Sequence, residues 1–137
     1  MSGPGTDAVD TATAGLDAPL AALHLPTLRA NLADLRRRAG GTRIRIASKS
    51  VRSRGVLEEV LGPGLRGDDS VRGIMAYSLT EALWLVDAGC DDVLLGYPTV
   101  DRAALARLGA DPAALDAVTL MVDDERQLEI ARESGAG

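Results

Sequence analysis

The stretch RIRIASKSVR, residues 43–52, holds the one lysine of this 137-residue chain; the other fourteen cationic side chains are arginines. A chain that uses arginine everywhere else has a chemical reason to keep one amine. An amine can lose its proton and attack a carbonyl carbon, whereas a guanidinium stays charged and cannot. Burial lowers an amine's pKa and makes it a better nucleophile. Side chains alternate along a strand, so Arg45, Ala47 and Lys49 share one face and Ile44, Ile46 and Ser48 the other. Lys49 is therefore the expected catalytic residue: a strand-end amine for carbonyl chemistry.

The remaining chemistry-bearing side chains have simpler explanations. Arg45, on the face of Lys49, needs an anionic partner if buried, with Asp123 or a bound cofactor as the options. Tyr97 and Asp123 end two further strands, where each could approach a ligand; Asp123 could equally support a helix start. Glu81, three residues after Ser78, reads as a capping box. His24, the lone histidine, has no metal-like spacing and reads as structural. Cys90, the one cysteine, excludes an internal disulfide framework and has no histidine placed to activate it. The RGD at 66–68 falls in a loop and is taken as coincidental. GPGLRG lacks the lysine and hydroxyl of a phosphate-binding loop. No metal-ligand set is expected in this chain.

These residues hang on alternating strands and helices. APLAALHL reads as a first strand, and Pro26 opens a helix over PTLRANLADLRRRAGG, with Leu28, Leu32 and Leu35 on one face. TRIRIAS, VRGIMAY, DVLLGY and AVTLMVD read as strands centred near residues 45, 75, 95 and 120. Helices follow at RGVLEEVLG, LTEALWLVDAG, DRAALARLG and DERQLEIARESG, the last opened by a capping box of Asp124 and Gln127. The spacing is that of βα units, and near-continuous apolar strands imply a parallel sheet buried on both faces. Periodicity allows either a doubly wound sheet or part of a (β/α)8 barrel; both put function at the carboxyl ends of the strands.

Composition bounds the partners. A net charge of −5 argues against a nucleic-acid or anionic-membrane surface, and the arginine run at 36–38 suits a helix C-terminus. Residues 1–17 lack the basic start and apolar run of a signal peptide and read as a disordered lead-in to a domain over 18–137. The expected location is cytoplasmic.

Three segments carry a family resemblance: IRIASKSVRSRGVLEEVL, VRGIMAYSLTEALWLVDAGCDDVLLGYPTV and TLMVDDERQLEIA. Together with DAPLAALHLPTLRANLADL upstream, they resemble the fold-type III pyridoxal-phosphate enzymes, which share the barrel domain of alanine racemase. The chain looks closest to the D-threonine aldolase/D-serine dehydratase branch, the amino acid deaminase/aldolase group. That branch usually reads RPHVKTHK where this chain reads RIASKSVR, so Arg45 and the lysine match while a histidine and a proline do not. Alanine racemase itself has a tyrosine four residues after its lysine; here that position is Ser53.

The resemblance implies a (β/α)8 barrel of which this chain is the first half, in which Lys49 binds pyridoxal 5'-phosphate as an internal aldimine. It implies a lyase acting on small, D-β-hydroxy amino acids by aldol cleavage or by dehydration and deamination. Any divalent metal, the base and the phosphate contacts would lie in the later barrel or a C-terminal domain. A barrel takes roughly 250 residues, so this chain is expected to be an N-terminal part, inactive alone and prone to pair as a homodimer. Two alternatives stand beside the enzyme: a non-catalytic pyridoxal-phosphate homeostasis protein, whose VSKT-like strand end ASKS resembles, and an inert truncated product.

Overall fold

A computed structural model describes residues 6–137, and the chain divides into two compact units, Met1–Gly40 and Gly41–Gly137. The first unit contains α1 (Thr6–Thr13) and α2 (Leu25–Ala39). The expectation of an unstructured lead-in is corrected over Thr6–Thr13, where the hydroxyls of Thr11 and Thr13 also donate back to the carbonyls of Asp7 and Val9; residues 1–5 lie outside the described residues. The expected strand over 18–25 is absent. A strand needs a ladder partner, and among the described residues none pairs with this segment; Leu20 and Leu23 stay exposed.

α2 starts and stops where its sequence says. Pro26 sits in the first turn, where its missing N–H costs nothing. His24 is the N-cap, its Nδ1 accepting from the Thr27 N–H at 3.3 Å, which gives the lone histidine its structural role. Gly40, at φ +58°, ends the helix in the left-handed conformation glycine tolerates best. Arg36, Arg37 and Arg38 occupy the last turn as the dipole favours. The stripe of Leu28, Leu32 and Leu35 is only half-buried at best, and Leu35 is exposed.

The second unit is a four-stranded parallel sheet with helices between the strands. Along the chain it runs β1 (Ile44–Ala47), α3 (Ser48–Val51), α4 (Arg54–Leu61), β2 (Val71–Ala76), α5 (Leu79–Asp87) and β3 (Val93–Leu95). It continues with α6 (Arg102–Gly109), α7 (Pro112–Ala117), β4 (Val118–Thr119) and α8 (Glu125–Glu133). The strand order is β1-β2-β3-β4, every neighbouring pair parallel. The order runs one way without the reversal that defines the switch point of a doubly wound sheet.

One sheet face carries the core. Val71, Ile74, Ala76, Val93 and Leu95 are buried there, with Leu57 and Leu61 of α4, Leu79, Leu83 and Leu85 of α5, and Leu105 and Leu108 of α6 also buried. Ile44 and Ile46 join this face through their pairing with Val71 and Ile74. The opposite face, with Arg45, Ala47, Met75 and Leu94, is half-buried or exposed. Burial on both faces, expected from the apolar strands, is thus met on one face only.

The later part of this unit also differs from the sequence reading. AVTLMVD forms a strand only at Val118–Thr119, because β4 lies at the sheet's edge and its ladder extends no further along the three-residue β3. Beyond it Met121 and Val122 are exposed. The segment DPAALDA, for which the periodicity predicts no element, starts α7: the Asp111 carboxylate accepts from the N–H groups of Ala113 and Ala114, and Pro112 takes the first turn.

Candidate active site at the carboxyl ends of the strands

β1 stops at Ala47, one residue earlier than expected, and the chain winds into α3. Ser48 anchors this turn: its side chain is buried, and its hydroxyl donates to the Met75 carbonyl of β2 at 3.1 Å. Arg52 closes it at φ +47°, its backbone N–H on the Ser48 carbonyl at 2.8 Å and its Nε on the Lys49 carbonyl at 3.1 Å. Lys49 therefore stands on a short helix at the open mouth of the sheet. It is exposed, which corrects the expectation that burial activates its amine.

The Lys49 Nζ donates to the Tyr97 hydroxyl at 2.8 Å. Tyr97 follows β3 after Gly96, whose N–H continues the ladder onto the Ala76 carbonyl at 3.0 Å. Tyr77 follows β2, and its ring packs edge-on against that of Tyr97, with centroids 5.3 Å apart and planes at 63°. The ends of β1, β2 and β3 thus bring one amine and both of the chain's tyrosines together. Beside them a cavity of about 400 Å³ is walled by Lys49, Arg52, Ser53, Tyr77, Glu81 and Trp84. Among the described residues, neither Lys49 nor Arg52 forms an ion pair with a carboxylate, whereas the neighbouring Arg45 and Arg54 pair with Asp92 and Glu58.

Glu81 serves the start of α5, as the capping box implied: the Ser78 hydroxyl accepts from the Glu81 N–H at 3.2 Å, and the Glu81 carboxylate accepts from the Tyr77 N–H at 2.8 Å. That second bond also fixes the backbone carrying Tyr77.

Arg45 finds a partner other than the two expected. Its Nη1 lies 2.7 Å from the Asp92 carboxylate, two strands away. The pair crosses Gly73 of β2, where the register shifts and φ is +80°. A Cβ there would fall 2.6 Å from the Arg45 Nη1 and 2.7 Å from the Asp92 Oδ2. Gly73→Ala should therefore lower stability by about 1–2 kcal/mol from the backbone alone, with the displaced ion pair adding to it. Urea unfolding checks this, and a midpoint equal to that of the parent chain would refute it.

Asp123 lies outside the cavity. Its N–H donates to the Gln127 Oε1 at 3.0 Å and its carboxylate accepts from the Gln127 Nε2 at 2.7 Å, so it closes the start of α8. Asp124 is the N-cap, its carboxylate accepting from the Arg126 N–H and held below its usual pKa by the hydrogen bonds of the Arg126 guanidinium. Burial pushes the Cys90 thiol up from its usual value, and a buried, protonated thiol is inert. In the RGD segment, Arg66 pairs with Asp91 and the Asp68 carboxylate accepts from the N–H groups of Ser70 and Val71, so both charges serve the loop.

Sequence reasoning missed Tyr77, Arg52 and Asp92. For Tyr77 a signal was present: VRGIMAY and DVLLGY both end in tyrosine, so two adjacent strands carry the same strand-end residue. Among the described residues, no group of three or more metal-ligating side chains comes together, and no helix is long and apolar enough to cross a membrane.

No family model and no curated protein matches the chain. One solved structure is similar over most of it: D-threonine aldolase from Filomicrobium marinum, with a TM-score of 0.71 and 28% identity over 87% of this chain. The match spans 31% of that enzyme's length.

Proposed function

We propose that this chain forms the first four βα units of a (β/α)8 barrel in a pyridoxal-phosphate-dependent lyase, with Lys49 holding the cofactor. The reaction class is cleavage or dehydration of a small D-β-hydroxy amino acid. The observation that carries the reading is the placement of the only lysine: past the end of β1, bonded to Tyr97 past the end of β3, in a one-way parallel sheet. The likeness to a D-threonine aldolase supports the fold-type III superfamily that the sequence resembles.

The residues present fit such a cofactor. A carbonyl group needs an amine without a competing carboxylate, and Lys49 provides one. A cavity of about 400 Å³ is in the range that holds small ligands. Arg52 adds positive charge to the same wall, and Tyr77 and Trp84 offer apolar ring surface. When bound, the cofactor supplies an electron sink for negative charge developing at the substrate's α-carbon. The chain's own part is to present the Lys49 amine, to set the Tyr97 hydroxyl within proton-sharing distance of it, and to line one side of the ligand's path.

Two product assays on the protein carrying this chain divide the reaction class. Aldol cleavage of D-threonine releases glycine and acetaldehyde; dehydration and deamination release 2-oxobutanoate and ammonia. Either pair, formed only with pyridoxal phosphate, supports the reading, and the absence of both would sink the lyase assignment.

The sheet also bears on assembly. β1 and β4 are its outer strands, and an outer strand presents unpaired N–H and C=O groups that another chain can complete. Residues 1–137 on their own are expected to associate, with a homodimer as the smallest species. Light scattering coupled to gel filtration reads this directly, and a strict monomer across a dilution series would contradict it.

A further inference from the structure

Resting on the proposed role of Lys49, we infer that Tyr97 is the positioning residue for its amine and that Tyr77 holds Tyr97 in place. The Lys49 Nζ lies 2.8 Å from the Tyr97 hydroxyl and 5.1 Å from the ring centre. The longer distance approaches the sum of the hydrogen bond and the span from ring centre to oxygen. The amine therefore meets the hydroxyl end of the ring, and the contact is a hydrogen bond more than a cation–π interaction.

The asymmetry between the two side chains gives the bond its purpose. A lysine stem is among the most rotamer-rich side chains, and on an exposed residue no packing fixes its end. A tyrosine has only two torsions before its hydroxyl, and this one is held edge-on by Tyr77. The Tyr77 backbone is held in turn by its bond to Glu81, inside the α5 cap. A chain of contacts thus runs from the cap through two partly exposed rings to one oxygen, and that oxygen restrains the more flexible amine.

A phenol oxygen has one donor hydrogen and two acceptor sites. By accepting one hydrogen from Nζ it restricts the nitrogen's direction, and the lone pair left when the ammonium gives up another proton points away from the phenol oxygen. Attack on a carbonyl requires that direction, so orientation should appear as rate. Tyr97 touches the nucleophile and not the reacting carbon, which makes it a positioning residue.

Tyr97→Phe removes the hydroxyl and keeps the ring; Tyr77→Leu keeps the hydroxyl and removes its support. Two rates at Lys49 are compared across a pH series in residues 1–137, with sites assigned by peptide mass spectrometry. One is attachment of pyridoxal phosphate trapped with borohydride. The other is acylation by acetic anhydride, a small reagent with little demand for orientation. In Tyr97→Phe, attachment should slow by about three- to tenfold while acylation holds or rises. Tyr77→Leu should show the same pattern more weakly. Attachment at the parent rate in Tyr97→Phe, or both rates falling together, would overturn the positioning role. If the parent chain itself attaches no cofactor at Lys49, the proposed function fails, and the positioning role then stands only if acylation rises in Tyr97→Phe.

Discussion

Replacing Lys49 by arginine should abolish borohydride-trapped attachment of pyridoxal phosphate while leaving the fold intact. The loss is expected to be complete, because a guanidinium does not give up the proton that attack on the cofactor's aldehyde requires. The charge is kept, and the longer side chain can still donate to Tyr97. Lys49 is exposed on a short helix, a setting where substitutions usually change stability by less than about 0.5 kcal/mol. Trapping and thermal melting on the same sample separate the two effects. Attachment persisting in Lys49→Arg would move the site elsewhere, and a collapsed melting transition would show Lys49 to be structural.

Ile74→Ala should produce the largest loss of stability. Ile74 is fully buried in β2, paired with Ile46 on one side and Val93 on the other, at the centre of the core face. Truncating a buried isoleucine costs roughly 2–5 kcal/mol, from lost apolar transfer and from the cavity left behind. At Leu128, exposed on α8, the change to alanine should cost less than about 0.5 kcal/mol. Denaturant melts of the two variants side by side give the contrast. A loss at Ile74 no larger than that at Leu128 would mean that the core face is misassigned.

How far the sequence reveals this molecule depends on how local each cause is. The helix caps at Ser78 and Asp111 and the glycine stop at Gly40 are set by neighbours within a few residues, so each is local in origin. The strands at residues 45, 75 and 95 are legible because apolar runs bounded by turn residues have few other solutions. The extent of β4 and the absence of a strand over 18–25 are not, since strand length depends on a partner's reach and not on composition. The same applies to Arg45: its partner, Asp92, lies 47 residues on and is reached only because Gly73 leaves room between them. Lys49 stands out in the sequence by its rarity and its place at a strand end. Its contact with Tyr97, 48 residues away, follows once the strand order is known, because the residues after β1 and β3 then share one edge of the sheet.

The central claim, that the lone lysine is the point of cofactor attachment, is tested most directly by mapping. The protein carrying this chain is incubated with pyridoxal phosphate, reduced with borohydride, digested and sequenced by mass spectrometry. The account predicts a phosphopyridoxyl group on the peptide containing Ala47 to Val51, at Lys49. A label confined to the N-terminal amine or to a lysine outside this chain, with Lys49 unmodified, would contradict it.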